Sequence, residues 1–178
     1  MSADPRPSLR TARLLLRPFV ESDAGDYAAL RYHPAVDAWL MPAPADHAVA
    51  AQRAQIAEYD QRWTAHGCAP WAVVEIAGGR LVGHCGLRRL DELDLVDMIW
   101  TMHPDTQGKG YAKEAAAAAL VWGFANLPVP RLGALIRPDN ARSQSVARSL
   151  GMTVERRVER RPGQWRDIWV VARPGGVI

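Results

Sequence analysis

Hydrophobic and polar residues recur along the first third of the chain with the periods of one strand and two helices. Residues 13–17 place three leucines between two arginines, a short apolar run that predicts a strand, and residues 21–33 follow a helical period that Pro34 ends. Residues 36–44 are apolar between prolines and predict a loop or a short helix. A long helix is predicted over residues 46–66, with Asp46 as its N-cap. Its buried face is predicted to carry Ile56, Tyr59 and Trp63.

The rest of the chain is predicted to be mainly strands, with two further helices. The helix at residues 111–126 is rich in alanine and is predicted to bury Ala117, Val121 and Phe124. In chain order, the segments are strands 71–76, 81–87 and 93–102, helix 111–126, strand 132–136, helix 140–150 and strands 152–160 and 164–171. Seven strands and four helices in this order predict an α/β protein of the α+β type.

Composition narrows the classes of protein. A chain of 178 residues, 48% of them hydrophobic, suits a single domain over residues 1–178. Two cysteines cannot form a disulfide framework, the first residues show no apolar secretory core, and no apolar run could span a bilayer, so we expect a cytoplasmic protein without membrane association. The net charge of +3 is too small to indicate nucleic-acid binding. The five histidines show no zinc-ligand spacing, so no metal is expected.

A glycine-containing loop separates the strand at 93–102 from the alanine-rich helix. Residues 107–112 read Gln-Gly-Lys-Gly-Tyr-Ala, and the chain's two lysines are Lys109 and Lys113. A helix N-terminus presents unpaired N–H groups and partial positive charge, and glycines let an anion approach the main chain closely. The loop is therefore a candidate cradle for a diphosphate, although an ordinary capped turn would have similar residues.

The spacing separates this loop from two common nucleotide loops. No Ser or Thr follows a Gly-Lys pair as in a Walker loop, and no acidic residue stands about twenty residues on, as a dinucleotide fingerprint requires. Gln107, Gly110 and Ala112 form Gln-x-x-Gly-x-Ala, with His-Pro-Asp at 103–105 upstream. This pattern resembles the acetyl-CoA pyrophosphate loop of the GNAT superfamily of N-acetyltransferases.

Other segments extend the resemblance over almost the whole chain. Residues 9–18 with Asp23 look like the opening strand and turn of the RimJ/RimL-like branch, and residues 83–86 look like its third strand. The motif Asn-x-x-Ser at 140–143 and Leu-Gly-Met at 150–152 match a helix and the turn after it. Further matches in the terminal hairpin are Glu155, Gly163, Trp165, Arg166 and Asp167.

The resemblance implies a fold and a ligand. The GNAT acyl-CoA N-acyltransferase fold is a mixed, mostly antiparallel sheet of about seven strands flanked by about four helices, and it splays between strands 4 and 5, where acetyl-CoA enters. Lys113 could equally be a solvated surface residue, and Asn140 could simply cap its helix. The cofactor-binding residues carried over are Trp100, Thr101, Met102, Gln107, Gly108, Lys109, Gly110, Tyr111, Ala112, Lys113, Asn140 and Ser143.

Two residues are candidates for the chemistry. Ser143 matches the residue proposed to protonate the leaving thiolate in RimL-like enzymes, and the helix that carries it lacks the tyrosine that many relatives use; a serine here could also bond its own backbone. Asp97 lies where the family often has Glu, and it could accept a proton from the amine through water. The alternatives are that Asp97 forms an ion pair with an arginine or faces solvent. The acceptor pocket is predicted to include Tyr32, Trp39 and Met41.

Three functions remain open at this point. The leading hypothesis is an acetyl-CoA-dependent N-acetyltransferase in which a primary amine, on a peptide N-terminus or a small molecule, attacks the thioester directly. The alternative is a non-catalytic acyl-CoA-binding or regulatory domain on the same fold. Relatives that dimerise suggest a homodimer. Nucleic-acid binding is the third hypothesis, although interleaved acids favour ion pairing of the arginines concerned, Arg156, Arg157, Arg160, Arg161 and Arg166.

Overall fold

The computed structural model describes residues 6–40 and 48–175, which form one eight-stranded sheet with helices on both faces. The sheet order is β1-β2-β3-β4-β5-β6-β8-β7. The strands are β1 (Leu9–Arg10), β2 (Leu14–Arg17), β3 (Pro70–Glu75), β4 (Leu81–Leu90), β5 (Leu95–Met102), β6 (Arg131–Ile136), β7 (Thr153–Arg161) and β8 (Gln164–Ala172). The α-helices are α1 (Ala24–Arg31), α2 (Pro34–Asp37), α3 (Ala48–His66), α4 (Tyr111–Asn126) and α5 (Ala141–Ser149).

The sheet is antiparallel except between β5 and β6. Those two strands are parallel and share one register pair, Asp97 with Gly133, whereas β4 and β5 are paired along eight positions. Beyond that pair β5 and β6 diverge, which leaves a cleft between them. The mixed sheet and its splay therefore confirm the predicted fold class.

Two short elements raise the strand and helix counts above those predicted. They are the two-residue strand β1 and the four-residue helix α2, which lies in the segment predicted as a loop or short helix. Pro34 at the first position of α2 suits a helix start, and His33 Nδ1 accepts a hydrogen bond from the Ala35 N–H at 3.2 Å. Local capping thus turns an apolar connection into one helical turn.

Helix α3 packs as predicted, but α4 does not. Ile56, Tyr59 and Trp63 are buried, while the predicted cap Asp46 lies outside the described residues. In α4, Val121 is 70% exposed, Ala117 is exposed and Phe124 is only partly buried. The buried residues are instead Tyr111, Ala115, Ala116, Ala119 and Gly123.

The physical reason for the error in α4 is its uniform composition. A helix that is apolar on all sides has no polar face to indicate which side packs on the sheet. Only the smallest side chains fit between α4 and the sheet, because a Cβ at Gly123 would lie 2.9 Å from Leu132 Cδ1 and 3.0 Å from Leu87 Cδ1. Close approach of the helix to the sheet decides the buried face.

The opposite face of the sheet carries α1 and α3 and buries a neutral histidine. His84 on β4 lies edge-on to the Tyr27 ring at 5.6 Å, and the Tyr27 and Tyr59 hydroxyls are 3.0 Å apart. Burial, with smaller contributions from Arg88 and Arg31, lowers the pKa of His84 to about 3. The fold therefore holds His84 uncharged at neutral pH. None of the described helices is long and apolar enough to cross a membrane.

We predict that His84 makes the protein less stable in mild acid. Because its pKa is depressed in the folded state, the unfolded chain binds the extra proton between about pH 6.5 and pH 3, and stability falls as the pH drops through that window. Between pH 7 and pH 4.5 the loss of unfolding free energy caused by His84 amounts to about 3 kcal/mol. When the pH is lowered from 7 to 4.5, the unfolding free energy measured by urea titration should fall less for His84→Leu than for the unsubstituted chain. The difference between the two falls should be about this amount.

The matched control is His66→Leu, which replaces an exposed histidine at the end of α3 and should keep the original pH dependence. Each variant is compared with its own value at pH 7, so a constant packing cost cancels. Parallel profiles for the unsubstituted chain and His84→Leu would contradict the prediction.

Candidate active site

The loop before α4 presents a row of unpaired backbone amides. Gly108 and Gly110 adopt the left-handed conformation with φ of 81° and 82°, and Gly110 precedes α4 without a side-chain cap. Within the described residues no acceptor contacts the amides of Gly108, Gly110, Tyr111, Ala112 and Lys113. A Cβ added at Gly108 would meet nothing within 4 Å, so the space in front of the loop is open. These amides lie at the positive end of a 16-residue helix, and the arrangement can hold an anion.

The far side of this loop is clamped by an arginine from the other end of the chain. The Arg13 guanidinium donates from Nε to Glu114 at 2.7 Å and from Nη1 to the Lys109 carbonyl at 2.8 Å, and its carbon lies 4.7 Å from the Tyr111 ring centre. Thr11 Oγ1 also donates to Glu114, at 2.6 Å. Sequence reasoning missed this clamp, since Arg13 and Lys109 are 96 residues apart.

Tyr111 contributes packing to the loop. Its hydroxyl donates to Glu75 on β3, and the residue is 7% exposed. Its main-chain amide is therefore the group it can offer to a ligand. Lys109 and Lys113, in contrast, are exposed beside the loop.

One wall of the cleft between β5 and β6 is the edge of β5, and the other is helix α5. Beyond Asp97 the edge of β5 that faces away from β4 has no partner among the described strands, so the main-chain groups of Trp100 and Met102 face the cleft, whereas those of Thr101 pair with His84 on β4. On the other wall Asn140 caps α5, its Oδ1 accepting the Ser143 N–H at 3.0 Å. The Ser143 hydroxyl is half-buried and has no hydrogen-bond partner among the described residues.

Two arginines reach across this cleft. Arg142 of α5 donates to Gln107 Oε1 in the loop, and Gln107 Nε2 lies 3.4 Å from the Met102 carbonyl. Arg137, after β6, donates to the Ala38 carbonyl at 3.2 Å and lies over the Trp39 ring at 4.9 Å. Sequence reasoning assigned a role to neither arginine, although both flank the Asn-x-x-Ser helix start.

Asp97 is buried at the point where β5 and β6 separate. It is 1% exposed, and its Oδ1 accepts the Leu135 N–H at 2.9 Å while Oδ2 accepts Arg88 Nε at 2.8 Å. Burial raises the pKa of the Asp97 carboxyl, against the opposing influence of Arg88 and of the Leu135 amide. Both oxygens are engaged, so the geometry supports a structural role at the cleft origin. The base role stays a prediction.

The predicted acceptor residues occupy different environments. Tyr32 buries its hydroxyl without a hydrogen-bond partner among the described residues, and its ring centre lies 5.7 Å from the Arg31 guanidinium carbon. Trp39 is 41% exposed at the mouth of the cleft. Met41 lies outside the described residues. The structure therefore places Tyr32 and Trp39 on the elements that approach the cleft, on either side of α2.

Other chemical groups offer no competing site. Burial raises the pKa of the Cys68 thiol to about 11 and raises that of Cys85 as well, so neither is a ready nucleophile. The described ranges contain no group of histidines, cysteines and acids that could hold a metal. In the terminal hairpin, Arg157 pairs with Asp167 at 2.6 Å and Arg160 with Glu92 at 2.6 Å, which is the ion pairing expected for the arginine-rich segment.

A cavity at the C-terminal end of α4 lies away from this site. It has a volume of about 890 Å³ and is lined by residues 124–131 with Ala172 and Arg173, at the C-terminal end of α4. The Arg173 guanidinium donates to the carbonyls of Phe124, Leu127 and Val129 there, which completes the helix end. The glycine loop lies at the other end of α4, about 20 Å away along the helix axis. Main-chain chemistry, not cavity size, identifies the candidate site.

The sequence of this chain matches a family model. The model is described as "Acetyltransferase (GNAT) domain" and covers residues 13–153. The chain belongs to the GNAT acetyltransferase family. The predicted family is thereby confirmed, and the match includes the glycine loop, the cleft and the Asn-x-x-Ser helix of the GNAT chain.

Curated and solved relatives agree with this assignment. The uncharacterized N-acetyltransferase YnaD of Bacillus subtilis (strain 168) is 35% identical over 75 residues, which are 42% of this chain and 44% of that protein. The chain thus matches about half the length, or less, of the curated relatives.

Two crystal structures share the fold over nearly their full length. An acetyltransferase from Agrobacterium tumefaciens str. C58 is 24% identical, with a TM-score of 0.79 over 93% of this chain and 94% of that one. The ribosomal-protein-S5-alanine acetyltransferase from Vibrio fischeri is 15% identical, with a TM-score of 0.81 over 95% and 98%. At these identities both likenesses show the fold alone.

We predict that Asp97 stabilises the fold mainly by accepting the hydrogen bond of the Leu135 N–H. Asp97→Leu has nearly the same shape but no acceptor, so it should lower the free energy of unfolding by about 1–3 kcal/mol. Asp97→Asn keeps an acceptor for Leu135 and should lose less than half as much, as measured by urea denaturation. The control Asp91→Leu, at a side chain that is 76% exposed, should change stability by less than about 0.5 kcal/mol. Equal losses in the Leu and Asn variants would show that the amide contact does not matter.

Proposed function

We propose that this GNAT chain is an acetyl-CoA-dependent N-acetyltransferase that acetylates a primary amine. The observation that carries the proposal is the set of unpaired amides at Gly108 and at 110–113, in front of open space and at a helix N-terminus. Two exposed lysines beside these amides add positive charge. A diphosphate is the anion that a row of amides and two flanking cations would suit.

The fit extends from the loop into the cleft. Acetyl-CoA would supply an activated acetyl thioester, and its diphosphate would be held at residues 107–113. The exposed edge of β5 at Trp100 and Met102 offers main-chain donors and acceptors to an amide-containing arm, and Thr101 between them would contribute its side chain. Asn140 and Ser143 lie at the start of α5, whose Arg142 contacts Gln107 in the loop, and they are proposed to contact the same ligand. The two walls are thus both polar where an extended ligand with amide groups would lie.

The proton balance of the reaction assigns roles to side chains. As the new N–C bond forms and the C–S bond breaks, one proton leaves the amine and one must reach the sulfur. Ser143 is the proposed donor, because its hydroxyl is half-buried and has no hydrogen-bond partner in the described part of the chain. For Asp97 the proposed base role acts through water. A fall in rate with an upward shift of the pH profile in Asp97→Asn would support it, and unchanged profiles would leave Asp97 its cleft-positioning role alone.

The acceptor is proposed to be either a peptide N-terminal α-amine or a small-molecule amine. The fold is shared with ribosomal-protein acetyltransferases, which motivates the peptide arm of the test. A non-catalytic acyl-CoA-binding domain is the alternative. Release of free CoA thiol in the presence of amines distinguishes the two, since a sensor would bind acetyl-CoA without releasing thiol.

We expect the loop to determine CoA affinity. Gly110→Ala forces a side chain into a conformation with φ of 82°, which shifts the amides that follow, so the Kd for CoA in calorimetry should rise about tenfold or more. Gly67→Ala introduces the same left-handed strain at the end of α3 and should leave the Kd unchanged. Normal CoA binding by Gly110→Ala, or no binding by the unsubstituted chain, would refute the diphosphate site.

Ser143 provides the kinetic test. Ser143→Ala should lower kcat about 100-fold, in the range typical of a lost general acid, while the Kd for CoA changes little. Ser145→Ala, exposed on the same helix, is the matched control and should behave like the unsubstituted enzyme. An unaltered kcat in Ser143→Ala would assign protonation of the sulfur to another group.

A further inference from the structure

One rim of the cleft carries an excess of positive charge that the proposed reaction does not use. Arg137 follows β6 and Arg166 lies on β8, next to the register pair of Ile136 with Asp167. Continuing that ladder by one position would bring Arg137 and Arg166 opposite each other, beside the opening between β5 and β6. An exposed indole lies beside Arg137, that of Trp39, which is 41% exposed and has its ring centre 4.9 Å from the guanidinium carbon.

The arginines around this rim differ in how they are neutralised. Arg137 is bound by both oxygens of Asp139, at 3.0 Å and 2.7 Å. Arg88 pairs with Asp97 at 2.8 Å, and Arg160 pairs with Glu92 at 2.6 Å. Each of these cations therefore has its own carboxylate.

Arg166 has no carboxylate of its own. Its guanidinium donates to the Trp165 carbonyl at 2.8 Å, and the described residues place no acidic group within ion-pair distance of it. Burial lowers the pKa of Arg166, as do Arg137 and Arg160, against a weaker opposing effect of Asp139. A partly buried cation with two cationic neighbours is electrostatically unfavourable, and an anion brought to it would relieve that cost.

The geometry of a guanidinium selects the kind of anion. Its planar fork matches the two oxygens of a carboxylate or phosphate, and a neighbouring indole gives apolar contact to the rest of the ligand. The same positive field disfavours a ligand that carries further positive charge. A polycationic amine would therefore enter this rim at an electrostatic cost.

We propose that Arg166, supported by Arg137, is an anion-binding subsite for the acceptor, so that the enzyme prefers primary amines that also carry a carboxylate or phosphate and discriminates against polyamines. This inference rests on the proposed N-acetyltransferase function and adds a substrate class to it. CoA is a second source of anionic groups, because its phosphates could also reach an arginine. The test must separate these two sources.

The experiment compares amines that differ in one group. The small-molecule arm uses O-phosphoethanolamine, ethanolamine and ethylenediamine, and the peptide arm uses tripeptide amides with Asp, Asn or Lys at the second position. Thiol release gives kcat/KM for each. We expect the anionic member of each series to exceed the cationic one by about tenfold or more, as one desolvated charge contact would produce.

Arg166→Gln tests the residue. The preference for the anionic amine should fall toward unity through a rise in KM, while the Kd for CoA stays the same. Arg10→Gln removes an equal charge from an exposed arginine at the opposite edge of the sheet and should keep the preference.

The outcomes separate the two proposals. Turnover without preference for anionic amines, or a preference that survives Arg166→Gln, would overturn the subsite and leave the acetyltransferase intact. A Kd for CoA that rises in Arg166→Gln would assign the arginine to the cofactor instead. Turnover of no amine, despite CoA binding, would overturn the proposed function and the subsite with it.

Discussion

The candidate site depends on a single carboxylate at the point where two parallel strands separate. Between β5 and β6 the backbone ladder contains one pair, and Asp97 accepts the Leu135 amide in place of a further main-chain bond. A buried N–H left without an acceptor costs free energy comparable to a lost hydrogen bond. Asp97 lets β5 and β6 part without that cost, so the cleft exists because a side chain replaces a strand partner at its origin.

The cleft is then held at a fixed width by contacts between its walls. Arg137 links the end of β6 to α2, and Arg142 links α5 to the glycine loop. On the far side of the loop, Arg13 binds a loop carbonyl and the first turn of α4. Arginine suits these positions because one guanidinium donates to several acceptors at once. Side chains therefore hold the loop in place, although the loop itself offers main-chain amides to a ligand.

The distribution of charge follows from the same arginines. Arg88, Arg137 and Arg160 each pair with a carboxylate, whereas the lysines at the loop, Arg142 beside it and Arg166 at the rim have none among the described residues. One cationic surface lies at the helix N-terminus, where a diphosphate would bind, and the other at the cleft mouth, where an acceptor would enter. Two anionic ligand groups at two ends of one cleft are the arrangement that this charge pattern favours.

The sequence by itself determined the order of elements, the family and the glycine loop, because period, glycine spacing and the Asn-x-x-Ser cap are local properties of the chain. It also indicated the buried face of α3, whose polar residues mark the exposed side. It could not determine the buried face of α4, since five successive alanines and their neighbours are alike until the sheet selects the smallest. Nor could it show that Asp97 accepts the Leu135 amide, that Arg13 donates to the Lys109 carbonyl or that Arg166 lies at the rim. Each of these depends on residues that are far apart in the chain. Tertiary packing also decided which distant charges are neutralised, and that distribution of charge is what the proposed preference for anionic acceptors rests on.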